Sequence, residues 1–167
     1  VAIKQTVYRC IAECSNNVKV IASTTASIPP DVLVGNMPIA SKFVVAHPFT
    51  PPHMVPCFEI VKGAKTSDVT VDFICNILRG AGREPVVLKK SAPGFIVNRI
   101  QQAMYREAVY MVESGIASPE EIDKALDEAG ISKQKLNWTT IHLLGKVDAN
   151  RPGMLAMFAS LISIAGA

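Results

Sequence analysis

The chain of 167 residues is poor in aromatic rings, at 6%, and poor in charge, at 19%. So few rings leave no stacking platform for single-stranded nucleic acid. The charge gives no basic footprint either: 17 Lys and Arg stand against 14 Asp and Glu, a net +3 spread along the chain. Nucleic-acid binders cluster their basic residues instead. Cysteine is sparse. Cys10, Cys14, Cys57 and Cys75 form no CxxC pair and fall well short of a disulfide scaffold. They read as free thiols of a reducing compartment, so a cytoplasmic location is expected. His47 and His53 match no zinc spacing with these thiols, and no metal is expected. No run reaches the roughly 18 apolar residues of a membrane span. The nearest approach, Met154 to Ala167, reads as a buried or interface helix, so no membrane partner is expected. Val1-Ala2-Ile3-Lys4 shows no signal-peptide pattern.

What is present is a large apolar fraction, 49%, enough for a real core. Along the first ninety residues, helix and strand patterns alternate. Val1 to Glu13 has helical periodicity, stopped by Ser15-Asn16-Asn17. Val18 to Ala22 is short, β-branched and almost wholly apolar, which suits a strand covered on both faces. Ser23 to Ser27 forms a polar loop, and Pro29-Pro30-Asp31 opens a short helical piece through Val34. Lys42 to Ala46 reads as the next strand, ended by His47-Pro48. The following loop to Pro56 is stiffened by proline. Cys57 to Val61 and Pro85 to Leu88 read as strands, and Thr66 to Leu78 as a helix ended by Gly80 and Gly82. After Lys90 the pattern becomes helical. Phe95 to Glu113 forms one long helix, led in by Pro93-Gly94. Ser118-Pro119-Glu120-Glu121 starts a second with an N-cap, a proline at the first helical position and a capping box. An α/β unit over residues 1–91 followed by a helical unit over 92–167 is therefore expected, with 131–167 the least regular part.

Two residues stand out chemically. His47 follows directly on an apolar strand, and strand C-terminal ends line the ligand crevice of open α/β sheets. Glu59 interrupts the apolar strand CFEIV, where a carboxylate is costly unless paired. A histidine on the neighbouring strand would be such a partner. The carboxylate would then fix the imidazole tautomer, the arrangement of a general base. Asn98, near the start of the long helix, offers an amide with both donors and an acceptor.

Together, AHPFTPP, FEIV, PGFIVNR and SPEEID, in this order, resemble the 3-hydroxyacyl-CoA dehydrogenase family over residues 1 to 129. The His-Pro-x-x-Pro-Pro form is similar to its L-gulonate 3-dehydrogenase (lambda-crystallin) branch. The resemblance implies a Rossmann-type NAD-binding domain, of which this is the C-terminal portion, followed by an all-α dimerisation domain. It implies NAD as cofactor, oxidation of the 3-hydroxyl of a hydroxy acid or acyl-CoA, and a homodimer. It implies His47 as the base, Glu59 as its partner and Asn98 as the amide orienting the reacting oxygen. It also implies Lys4 and Thr24 on the cofactor side and Ser27 and Thr50 on the substrate side.

The sequence departs from the family in three places. Ala26 stands where a serine is usual, Thr50 where an asparagine is usual, and residues 131–167 lack the expected glycine-rich continuation. A dinucleotide site also needs a strand, G-x-G-x-x-G and a helix. The only glycine pair at that spacing, Gly80 and Gly82, follows a helix instead. A partial chain is therefore expected. A scaffold kept for structural or interaction purposes without turnover is the competing reading.

Overall fold

The computed structural model describes residues 1–14 and 17–131. The stop expected at Ser15 and Asn16, the helical run after Pro152 and the apolar tail from Met154 lie outside them. Helix α1 (Ala2–Cys14) buries Tyr8, whose hydroxyl donates to Ser23 Oγ at 2.8 Å. Strand β1 (Ile21–Ser23) is followed by the short helix α2 (Pro30–Val34) and a single 3₁₀ turn, Pro38–Lys42, which the apolar pattern does not announce. Strands β2 (Phe43–Pro48) and β3 (Cys57–Lys62), helix α3 (Asp68–Gly80) and strand β4 (Glu84–Val87) complete the α/β part. Helices α4 (Val97–Glu113) and α5 (Pro119–Glu128) follow.

The strands lie in the order β1-β2-β3-β4. β1 and β2 are parallel, as are β3 and β4, but β2 and β3 are antiparallel. Residues 49–56 are too few for the crossover that a parallel pair needs, so the chain turns back on itself. Alternation along β2 divides its side chains between two cores. Phe43 and Val45 pack on one face with Leu33, Val61 and Phe95. Val44 and Ala46 pack on the other with Ile60, Val71 and Ile74. Each such fully buried aliphatic side chain contributes about 1.5–3 kcal/mol of transfer free energy.

Three expectations shift. The strand expected over Val18–Ala22 pairs only at Ile21–Ser23, because its partner ladder begins at Phe43; Ala22 faces outward, so this strand is not covered on both faces. The strand expected to end at Ala46 continues through His47 and Pro48, since Glu59 and Phe58 lie opposite them. The long helix begins at Val97, not Phe95, because Phe95 has φ +51°, outside any right-handed helix. The α5 entrance is as read: Ser118 Oγ accepts from the Glu121 N–H, and the Glu121 carboxylate accepts from the Ser118 N–H.

Candidate active site

His47 and Glu59 are direct cross-strand partners on β2 and β3. Being two residues on from Val45 and two before Val61, they share the sheet face that carries those side chains. His47 is 7% exposed and Glu59 only 1%. The imidazole Nδ1 and Glu59 Oε2 are 2.9 Å apart. The other carboxylate oxygen, Oε1, accepts the backbone N–H groups of Ile96 at 2.8 Å and Val97 at 3.0 Å. Burial pushes the Glu59 carboxyl up. The bond to His47, the two backbone donors and the attraction of the imidazole outweigh it, and the net shift is downward. Glu59 is therefore an acceptor-only carboxylate at neutral pH, so the hydrogen of their shared bond belongs to Nδ1 of the imidazole. Nε2 has no hydrogen bond among the described residues and is not sealed from the surface. The site thus presents one basic nitrogen, with its tautomer set by a buried carboxylate.

Two aromatic rings lie against this imidazole. Phe49 meets it edge-on at 5.1 Å between centroids, and Phe95 is tilted against it at 5.8 Å. Neither ring, nor the two amides on Glu59, stands out from the periodicity of the sequence. The usable signal is Glu59 itself: a buried carboxylate with one oxygen on a histidine needs donors for the other. Cys57, two residues before Glu59, is no rival nucleophile, since burial and then the Glu59 charge push its thiol up.

Asn98 stands in the first turn of α4 and donates from Nδ2 to the Ala26 carbonyl at 3.0 Å. That bond ties α4 to the loop after β1. It leaves the amide oxygen and a second N–H for another partner. Ser27, in the same loop, is buried, and its Oγ has no partner among the described residues. Thr24 is exposed just past the C-terminal end of β1. Lys4 is exposed on α1, and Thr50 is exposed in the loop after β2. No hydrogen bond or ion pair joins Lys4, Thr24 or Thr50 to His47 or Glu59. Among the described residues there is no group of three or more His, Cys, Asp or Glu that could hold a metal ion. No helix there is long and apolar enough to cross a membrane.

Residues 1–91 match the family model of the 3-hydroxyacyl-CoA dehydrogenase NAD binding domain, and residues 94–142 match that of its C-terminal domain. The chain belongs to the 3-hydroxyacyl-CoA dehydrogenase family. It is 39% identical over 123 residues to a 5-formyl-3-hydroxy-2-methylpyridine 4-carboxylate 5-dehydrogenase of Mesorhizobium japonicum, covering 74% of this chain and 40% of that one. It is 38% identical over 109 residues to an L-carnitine dehydrogenase of Streptomyces griseus, covering 65% and 32%. The structure superposes on (S)-3-hydroxybutyryl-CoA dehydrogenase from Ralstonia eutropha with a TM-score of 0.73 at 32% identity, covering 81% of this chain and 47% of that one. The chain thus spans 32% to 40% of the length of these two curated relatives. Both family models, the NAD binding domain and the C-terminal domain, are matched within it.

Two polar side-chain atoms stand without a hydrogen bond among the described residues, the buried hydroxyl of Ser27 in the loop after β1 and Nε2 of His47 on β2, and each can bond a polar ligand. Among the described residues no glycine-rich turn joins a strand to a helix so as to cradle a pyrophosphate.

Proposed function

We propose that this chain carries the proton-transfer half of an NAD-dependent dehydrogenase that oxidises a hydroxyl at carbon 3 of a hydroxy acid or acyl thioester. The observation that carries the reading is the Nδ1 to Glu59 contact of 2.9 Å, which leaves the Nε2 of a buried imidazole without a hydrogen bond among the described residues. His47 takes the hydroxyl proton at Nε2. Glu59 holds the ring and stabilises the imidazolium that forms. Asn98, fixed by the Ala26 carbonyl, turns its remaining amide groups toward the reacting oxygen. Bound NAD would accept the hydride released from the same carbon. Thr24 and Lys4 would lie on the cofactor side, with Ser27 and Thr50 on the substrate side. The pyrophosphate would be held by residues outside this segment.

Gulonate, carnitine and 3-hydroxyacyl thioesters all present a hydroxyl at carbon 3 of an acid or thioester. The His-Pro-x-x-Pro-Pro motif supports the gulonate branch, whereas the Streptomyces griseus relative is named a carnitine dehydrogenase. We place the division between the two units near Ala92, the helical unit in a homodimer contact, and the protein in the cytoplasm. The test is hydride transfer to NAD by the whole protein with L-gulonate, L-carnitine, 3-hydroxybutyrate and 3-hydroxybutyryl-CoA. One of these is expected to turn over, and His47→Ala is expected to lower kcat by about 10²–10⁴-fold. Equal rates in parent and variant would remove His47 from the role of base.

A further inference from the structure

Phe95 is the only non-glycine residue in the described structure with positive φ, at +51°. A bulky residue is uncommon there, and the conformation persists only where its surroundings hold it. The surroundings are specific. Gly94 is also left-handed, at φ +76°, so the chain makes two consecutive left-handed steps just before α4. The next two N–H groups, those of Ile96 and Val97, both end on Glu59 Oε1. The Phe95 side chain is 2% exposed, and its ring lies against the His47 imidazole. One residue thus touches the pair twice, through its ring at the imidazole and through the turn it makes at the carboxylate.

We propose that Phe95 is a positioning residue for the His47 base, its left-handed backbone aiming two amides at Glu59 while its ring restrains the imidazole that Glu59 holds. With Oε1 occupied by the two amides, the carboxylate plane is fixed and only Oε2 faces Nδ1. A carboxylate free to rotate would present either oxygen, at varied angles. A ring free to tilt would lose its alignment with the substrate hydroxyl. This inference rests on reading His47 as the base, but its first readout does not depend on turnover.

The competing explanation is that Phe95 is only a core residue, since it packs in the same cluster as Phe43, Leu33 and Val61. Phe95→Met separates the two, because it keeps side-chain bulk and the same backbone preference but removes the ring. Phe95→Gly is the second variant, since it adopts positive φ freely and removes the ring and bulk together. The measurement is the long-range ¹H–¹⁵N spectrum of the His47 imidazole in the whole protein, with the signal assigned by its loss in His47→Asn. Thermal unfolding and steady-state kinetics accompany it.

The parent should show the Nδ1–H tautomer. Both variants should fold, yet drift toward the tautomer mixture of a free imidazole. Their kcat should fall by up to about 10²-fold with KM little changed. Phe95→Tyr should restore the parent tautomer. If both variants keep the parent tautomer and kcat, Phe95 only packs and the proposal is overturned, with the base reading intact. If the parent itself shows mixed tautomers, the proposal and the His47–Glu59 base fall together.

Discussion

The β2–β3 ladder and the α4–α5 pair are held by different means. In the ladder, Val44, Val45, Ile60 and Val61 are all fully buried, and cores lie on both faces. Between the helices only Ala108 and Ile122 are buried, packed against half-buried neighbours such as Tyr105 and Leu126. Ile100, Tyr110 and Ile116 remain 59% to 64% exposed. His47 sits on the first region and Asn98 on the second. The two are joined through Glu59, which accepts amides from the start of α4, and through the bond from Asn98 to Ala26. The difference teaches where precision comes from: the ladder supplies rigidity, and Glu59 lends it to the helix that carries Asn98.

Removing Glu59 should break this arrangement most severely. Glu59→Ala leaves two backbone N–H groups and the imidazole Nδ1 without their buried partner. The expected loss is about 3–5 kcal/mol in chemical denaturation of the whole protein. The same residue should mark the acid limb. Its folded-state pKa lies below the ordinary value of 4.5, so it contributes stability that is fully present above that value. That contribution is lost as pH falls through the lower folded-state value. The difference in stability between the parent and Glu59→Ala should therefore shrink below pH 4.5, and a constant difference would contradict the pairing.

One substitution made in both regions sharpens the comparison. Ile60→Ala should fall toward the upper end of the range for such cavities, about 2–5 kcal/mol, and Ile122→Ala toward the lower end. Ile60 is fully enclosed, whereas Ile122 belongs to the smaller cluster. Equal losses would mean that the helical pair is packed as firmly as the sheet. The smallest effect belongs to the α5 entrance. Ser118→Ala removes the cap of the Glu121 N–H and should cost about 1 kcal/mol. Amide exchange should quicken in the first turn of α5 and leave β2 unchanged.

Much of this was legible before any coordinates. Short apolar runs and helical periodicity located the helices and strands longer than a single turn among the described residues, because burial imposes them. His47 was conspicuous just past the end of one apolar strand and Glu59 as a charge inside another, and a short proline-rich loop between them makes cross-strand pairing the simplest solution. The register was not legible. Ending β2 at Ala46 leaves His47 unpaired, and only the partner strand shows that the ladder runs two residues further. The left-handed turn at Phe95 was hidden because Phe95 and Ile96 continue the apolar pattern of the helix behind them. The Asn98 bond to Ala26 spans 72 residues of sequence and has no local trace.

The central claim is that Glu59 makes His47 a base by holding its proton on Nδ1. Glu59→Gln tests it most directly. A carboxylate accepts on both oxygens, but an amide has one oxygen and one NH₂ group. If the amide oxygen stays with the Ile96 and Val97 N–H groups, its NH₂ meets Nδ1 and forces the imidazole proton onto Nε2. The base is then blocked while the fold persists. The measurement is the single-turnover rate of hydride transfer in the whole protein, for parent and Glu59→Gln. The account predicts a fall of about 10³–10⁴-fold with an unchanged circular dichroism spectrum. A rate within a few-fold of the parent would contradict it.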